Sequence, residues 1–215
     1  MMKKITGIFS ALVLALALLP TTVWAGGDVA MIGDNGYETL AEAVAAAKDG
    51  DTVTLLKDAT GSGIGTYEFP NAGQIAAKSF TIDFGGFTYT VTDPAVGSTG
   101  TETQGFHLEW SGNGDANHKV TLKNGKIEAA KGSTNVKMLV QNYCNLTLDN
   151  MVLDGTNLQG SKPYTMSNNC GNVVIKDTTI TAAKNGVAFD VYGGFGSYGD
   201  VTVTVTGNSV VNGTV

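Results

Sequence analysis

Apolar and hydroxyl-bearing positions alternate in a short phrase that returns six times along this chain. The phrase is eight residues long and begins at Val53, Phe80, Val120, Leu146, Val173 and Val203. Positions one and three are apolar in every copy, and position two is Thr except at Val174. Position eight is apolar except at Thr60. Counted from position two, the copies follow one another at steps of 27, 40, 26, 27 and 30 residues. Self-similarity at such a period marks a stacked repeat architecture.

Alternation over positions one to three predicts a strand with its apolar side chains on one face and Thr on the other. Position five is Asn124, Asn150, Asp177 or Gly207 in four copies, residue types suited to a sharp bend. The apolar eighth position then opens a second inward-facing segment. Strand-like pieces lie between the octets at 105–108, 136–140, 164–166 and 186–191, and they supply a third wall. The predicted class is therefore all-β, a parallel β-helix (solenoid) whose layers stack at about 4.8 Å. Residues 92–104 and 111–119, rich in Gly, Ser, Thr, Asn and Asp, read either as surface loops or as a degenerate coil.

One helix is predicted, ahead of the first octet. Thr39 and Glu42 are spaced as a capping box, and Leu40, Ala43, Val44 and Ala47 form one apolar stripe. Lys48 is expected at its negative end and Gly50 as its stop. This short helix is placed to cover the first layer, where an open sheet edge would invite another chain. The stretch 26–35 reads as an irregular lead-in.

The start of the chain changes the picture of where the protein works. Lys3 and Lys4 precede an apolar run over 8–19, and Val23 and Ala25 are small residues before Gly26. That order is expected of a secretory signal peptide over 1–25. The leader engages a membrane; no later stretch is apolar enough to span one. The expected organisation is a signal peptide at 1–25, a lead-in and cap helix at 26–51, and a parallel β-helix at 52–215. The last octet stops five residues before Val215 with no polar cover, so a truncated stack is expected there.

Composition then narrows the partners. The formal charge is −6, or −8 once Lys3 and Lys4 leave with the leader, and only 15% of residues are charged. No basic cluster exists, which weighs against nucleic acid and anionic membrane surfaces. Arg is absent altogether, removing the planar fork that grips carboxylates and phosphates in pairs.

Segment 37–56, with Thr39-Leu40-Ala41-Glu42-Ala43-Val44 and then Asp49-Gly50-Asp51-Thr52-Val53, resembles the opening of right-handed parallel β-helix proteins of the pectin-lyase-like superfamily. The resemblance is greatest to secreted or wall-attached proteins of gut Gram-positive bacteria. With the octets it covers most of the mature chain, and it implies a right-handed helix on a surface-exposed protein. It does not imply a reaction, because fold does not dictate function. The superfamily's lyases use a basic residue, commonly Arg, beside calcium-binding acids. Its hydrolases carry paired Asp residues, a Gly-His-Gly and an Arg-x-Lys. His107 and His118 match neither pattern.

Among individual residues, His107 and Glu109 share one face of a strand beside Trp110. They are the candidate catalytic pair for polysaccharide cleavage, with Asp83, Asp115 or Asp190 as a second carboxylate. The preferred reading of these residues is an exposed strand of mixed polar side chains beside a loop, without catalysis. Tyr192, Phe195 and Tyr198 lie among glycines and, with Trp110, are candidate ligand-binding aromatics for stacking on sugars. Cys144 and Cys170 are one 26-residue period apart, a spacing that admits either a disulfide or two stacked buried thiols. No cofactor is required, and calcium at the corners Asp149, Asn150 and Asp177 is the one candidate metal. The Thr column, interrupted at Val174, reads as a solvated strand face. The expected function is a secreted or cell-surface module, adhesive or structural, contacting glycans of host or microbial surfaces. A polysaccharide lyase or glycoside hydrolase is the alternative.

Overall fold

A computed structural model describes residues 27–65, 78–97, 102–108, 118–133, 135–193 and 200–215. The signal-peptide expectation lies outside the described residues. The chain begins with β1 (Ala30–Ile32) and β2 (Asn35–Tyr37), followed by helix α1 (Leu40–Ala46). Three strands follow, β3 (Thr52–Leu55), β4 (Ala59–Gly61) and β5 (Ile64–Gly65). The next three are β6 (Phe80–Asp83), β7 (Thr88–Val91) and β8 (Gln104–Leu108). Two long strands alternate with two short ones: β9 (Lys119–Ala129), β10 (Met138–Asn142), β11 (Asn145–Asp154) and β12 (Tyr164–Asn168). The remainder are β13 (Val173–Lys176), β14 (Thr179–Thr181), β15 (Val187–Val191), β16 (Val203–Thr206) and β17 (Val210–Asn212).

The fold is mostly β, built from parallel sheets in which each strand from β3 onward pairs with its counterpart one repeat away. The first halves of the octets stack in the order β16-β13-β11-β9-β6-β3. The second halves stack beside them, β4 on β7 on β9 and β11 on β14 on β17. A separate five-stranded sheet, β15-β12-β10-β8-β5, forms the third wall. Because β6 pairs directly with β9, Phe80 against Val120, no extra layer hides in the 40-residue step. The strands predicted at 105–108 and 164–166 fall within β8 and β12 of this third wall, while those predicted at 136–140 and 186–191 begin later, as β10 at Met138 and β15 at Val187.

The core is the column of inward positions. Ile82, Leu122, Leu148 and Ile175 are fully buried at octet position three, and Ile127, Leu153 and Ile180 at position eight. The bend between the two halves is set by single residues in left-handed backbone. Asn124, Asn150 and Asp177 have φ of 58°, 56° and 47°, and Gly207 has 63°. Asn, Asp and Gly are the residues that adopt this conformation at low cost. With the corner made by one residue, β9 and β11 run on through it as single long strands.

Four expectations need correction. First, Thr54 does not stack on Thr81: the pairs are Thr52 with Thr81 and Thr54 with Asp83. A two-residue slip leaves every side chain on its original face, so the alternation could not detect it. Second, the second octet turns through Gly85 and Gly86, which adds two residues, so Tyr89 rather than Phe87 pairs with Ile127 in the core. Third, residues 30–37 are not irregular. β1 and β2 form an antiparallel pair that adds to β3, with Ala30 against Leu55.

Fourth, the capping box on Thr39 and Glu42 is present, but the helix ends at Ala46 rather than running to Gly50. The Lys48 amide is taken by Asp51 at 2.7 Å. The cation at the negative end is Lys78, whose Nζ donates to the carbonyls of Val44 at 2.8 Å and Ala47 at 2.9 Å. Leu40, Ala43 and Val44 of this helix are buried against the core.

Candidate functional site

Glu109, Trp110, Asp115, Phe195 and Tyr198 lie outside the described residues. His107 and Tyr192 are described, and both belong to the outer face of the third wall. That face follows from parity. Phe106, Val140, Met166 and Phe189 are in register across β8, β10, β12 and β15 and are buried in the core. Their neighbours His107, Gln141, Ser167 and Asp190 therefore form an in-register column pointing the other way.

A second column runs beside the first, two residues further along each strand. Tyr143, Asn169 and Tyr192 continue the outward parity, held by Asn169 N donating to Asn142 O at 2.9 Å and Tyr192 N to Asn168 O at 2.8 Å. Cross-links tie the two columns together. Gln141 Nε2 donates to the Tyr143 hydroxyl at 2.9 Å, and the Ser167 hydroxyl reaches Asn169 Oδ1 and Asp190 Oδ2, each at 3.3 Å. The His107 ring stands edge-on to Tyr143 with centroids 5.5 Å apart. Tyr192 is 54% exposed, whereas His107 and Ser167 are buried.

The result is a patch of imidazole, amide, hydroxyl and carboxylate groups flanked by tyrosine rings. Tyr143 and Tyr192 are two strand spacings apart, about 10 Å along the stack. Gln141, Tyr143, Asn169 and Asp190, all half-buried, and the exposed Tyr192 can present hydrogen-bonding groups and aromatic faces to a ligand, while the buried His107 and Ser167 pack against them. His107 and Asp190 share the first column but are separated by three strand spacings, about 14 Å. Glu109, the carboxylate that Asp190 would partner, lies outside the described residues. Asp83, another suggested carboxylate partner, stands on a different wall.

Asp83 belongs to a charged column on the outer face of the first wall. Asp83, Lys123, Asp149 and Lys176 are register partners in alternating sign. Lys123 lies 3.1 Å from Asp83, and Lys176 lies 3.2 Å from Asp149. Partial burial pushes the Asp83 carboxyl up, but hydrogen bonds from Gly85 N, Lys123 and Asn124 outweigh it and hold the group below its ordinary value. On the second wall Lys126 bridges Glu128 at 2.7 Å and Asp154 at 2.8 Å. Burial there too is outweighed, by Lys126 and Thr156, so the Asp154 carboxyl is lowered, and the Lys126 ammonium is correspondingly raised against its own burial.

The corner residues suggested for calcium bond to their neighbours. Asn150 Nδ2 donates to Asn124 Oδ1 at 3.3 Å, and Asp177 Oδ1 accepts from Asn208 N at 2.9 Å. Among the described residues no group of three or more His, Cys, Asp or Glu is placed to hold a metal ion. Cys144 and Cys170 are buried at adjacent corners of the third wall. Between them runs a buried amide pair, Asn142 Nδ2 donating to Asn168 Oδ1 at 2.6 Å.

Gln141, Tyr143, Ser167 and Asn169 were not singled out by sequence reasoning. Their signal is positional: 141 to 167 and 143 to 169 are both 26 residues, the period of the adjacent octets. None has a reactive side chain that draws attention by itself. Comparison with protein-family models, with curated proteins and with solved structures finds no match.

Proposed function

We propose that this chain is an exported, surface-associated module, a right-handed parallel β-helix whose third wall contacts extended glycans without cleaving them. The observation that carries this reading is the in-register patch of His107, Gln141, Ser167 and Asp190 beside Tyr143, Asn169 and Tyr192. Its groups repeat along the stack axis, so it suits a ligand that is itself linear and hydroxyl-rich. Right-handedness is supported by the near-universal hand of parallel crossover connections. Export is supported by the basic, apolar and small-residue order of 1–25.

A glycan array tests the binding, paired with a reducing-sugar release assay on every glycan retained. The expected result is retention of extended polysaccharides that weakens roughly tenfold in a Tyr143→Ala/Tyr192→Ala variant, with no sugar released. Retention of none, or retention indifferent to both tyrosines, contradicts the glycan reading. Sugar release that is lost in Glu109→Gln makes the protein a polysaccharide-cleaving enzyme instead.

A further inference from the structure

We propose that Cys144 and Cys170 are a redox pair that closes into a disulfide, stapling two adjacent strand layers where the third wall turns into the first. The inference is independent of any glycan contact.

Register brings the two residues together. Asn142 pairs directly with Asn168 on neighbouring parallel strands, and each cysteine follows its asparagine by two residues. Strand neighbours lie about 4.8 Å apart, within the Cα separation that a disulfide spans. Several contacts fix the approach at the corner itself. The Asn142 amide nitrogen donates to the carbonyls of both cysteines, Cys144 at 2.6 Å and Cys170 at 3.4 Å. The Cys170 thiol donates to the carbonyl of Tyr143 at 3.0 Å, so its sulfur rests against the peptide that leads into Cys144. Gly171, at φ 84°, is packed so closely on the Cys144 carbonyl that a side chain there would collide with it. The Cys144 thiol, for its part, donates to Asn142 Oδ1 at 3.2 Å. The Cys144 sulfur thus rests on Asn142 and the Cys170 sulfur on the carbonyl of the next residue, and both cysteines are 1% exposed.

The chemistry needs an oxidant of the disulfide class, which an exported protein meets outside the cytoplasm. Each thiol gives up one electron and one proton as the two sulfurs bond. The oxidant's disulfide takes both electrons and both protons and leaves as two thiols. Once formed, the bond sits beneath the corner, shielded from soluble thiols.

The test is to refold the chain in a mixture of oxidised and reduced glutathione, then denature it in an alkylating agent and measure intact mass. The expected product is a monomer that takes up no alkyl group, with a peptide containing Cys144 linked to one containing Cys170. Two alkyl groups, glutathione adducts or disulfide-linked dimers each overturn the proposal. A melting comparison reads the staple itself: the oxidised form should melt roughly 5–10 °C above the reduced form. Cys170→Ser should show no response to reductant. Identical melting of oxidised and reduced wild type contradicts a staple across the layers.

Discussion

The first and the last described layers carry the same octet and bury it very differently. At the first layer, Leu55 occupies position three and is fully buried, closed over by α1 and the β1–β2 pair. At the last described layer, Val205 occupies the same position and is 55% exposed, with Val210 also exposed at position eight. The strands β16 and β17 pair on one side, with β13 and β14. The octet therefore specifies which face is inward, while burial is conferred by the layer that stacks on it. Position in the stack, not the residue, decides what each apolar side chain contributes.

That contrast predicts a gradient of mutational cost. Leu148→Ala, between two layers, should lower unfolding free energy by about 3 kcal/mol, while Val205→Ala should cost only about 0.5 kcal/mol. Urea titrations of both variants measure the ratio, and equal costs would break the comparison. Next in size is Asn142→Ala, which strands Asn168 Oδ1 and the Cys144 backbone carbonyl in the interior. A loss of about 2 kcal/mol is expected for such unsatisfied buried groups, with Asn142→Asp serving to show whether an acceptor in place of the donor is any better.

The capped end is probed by Lys78→Met, which removes the ammonium from the carbonyls of Val44, Ala45 and Ala47. About 1 kcal/mol is expected, read most sharply as faster amide exchange confined to α1. The smallest effect is the pH response of the outer charge columns. Asp83 and Asp154 are both lowered from 3.8, so the stability they add is fully present above that pH and is lost as pH falls through their folded values. Urea midpoints between pH 6 and pH 2 should decline below about pH 4, and Asp83→Asn/Asp154→Asn should flatten that decline.

The wall strands, the helix cap and the left-handed corners were legible because each has a local signature: alternation, a Thr-x-x-Glu spacing, an Asn or Asp at position five. The slip at Thr54 was not, because a period of two is blind to a shift of two. The Tyr89-for-Phe87 exchange depended on how many residues Gly85 and Gly86 spend in the turn. The β1–β2 pair was hidden for another reason: Asn35-Gly36-Tyr37 is exposed to half-buried and carries no alternation. The Lys78 cap joins residues more than thirty apart in sequence, beyond the reach of any local pattern. His107 and Tyr192 were found by residue type. Gln141, Tyr143, Ser167 and Asn169 acquire meaning only when four strands are laid side by side.

In-register parallel stacking of like octet positions is most directly tested by engineered cross-linking in a Cys144→Ser/Cys170→Ser background. Thr121 and Thr147 are direct partners on β9 and β11. Thr121→Cys/Thr147→Cys should close an intramolecular disulfide under mild oxidation, while the offset pair Thr121→Cys/Val152→Cys should not. Failure of the aligned pair together with closure of the offset pair would contradict the stack.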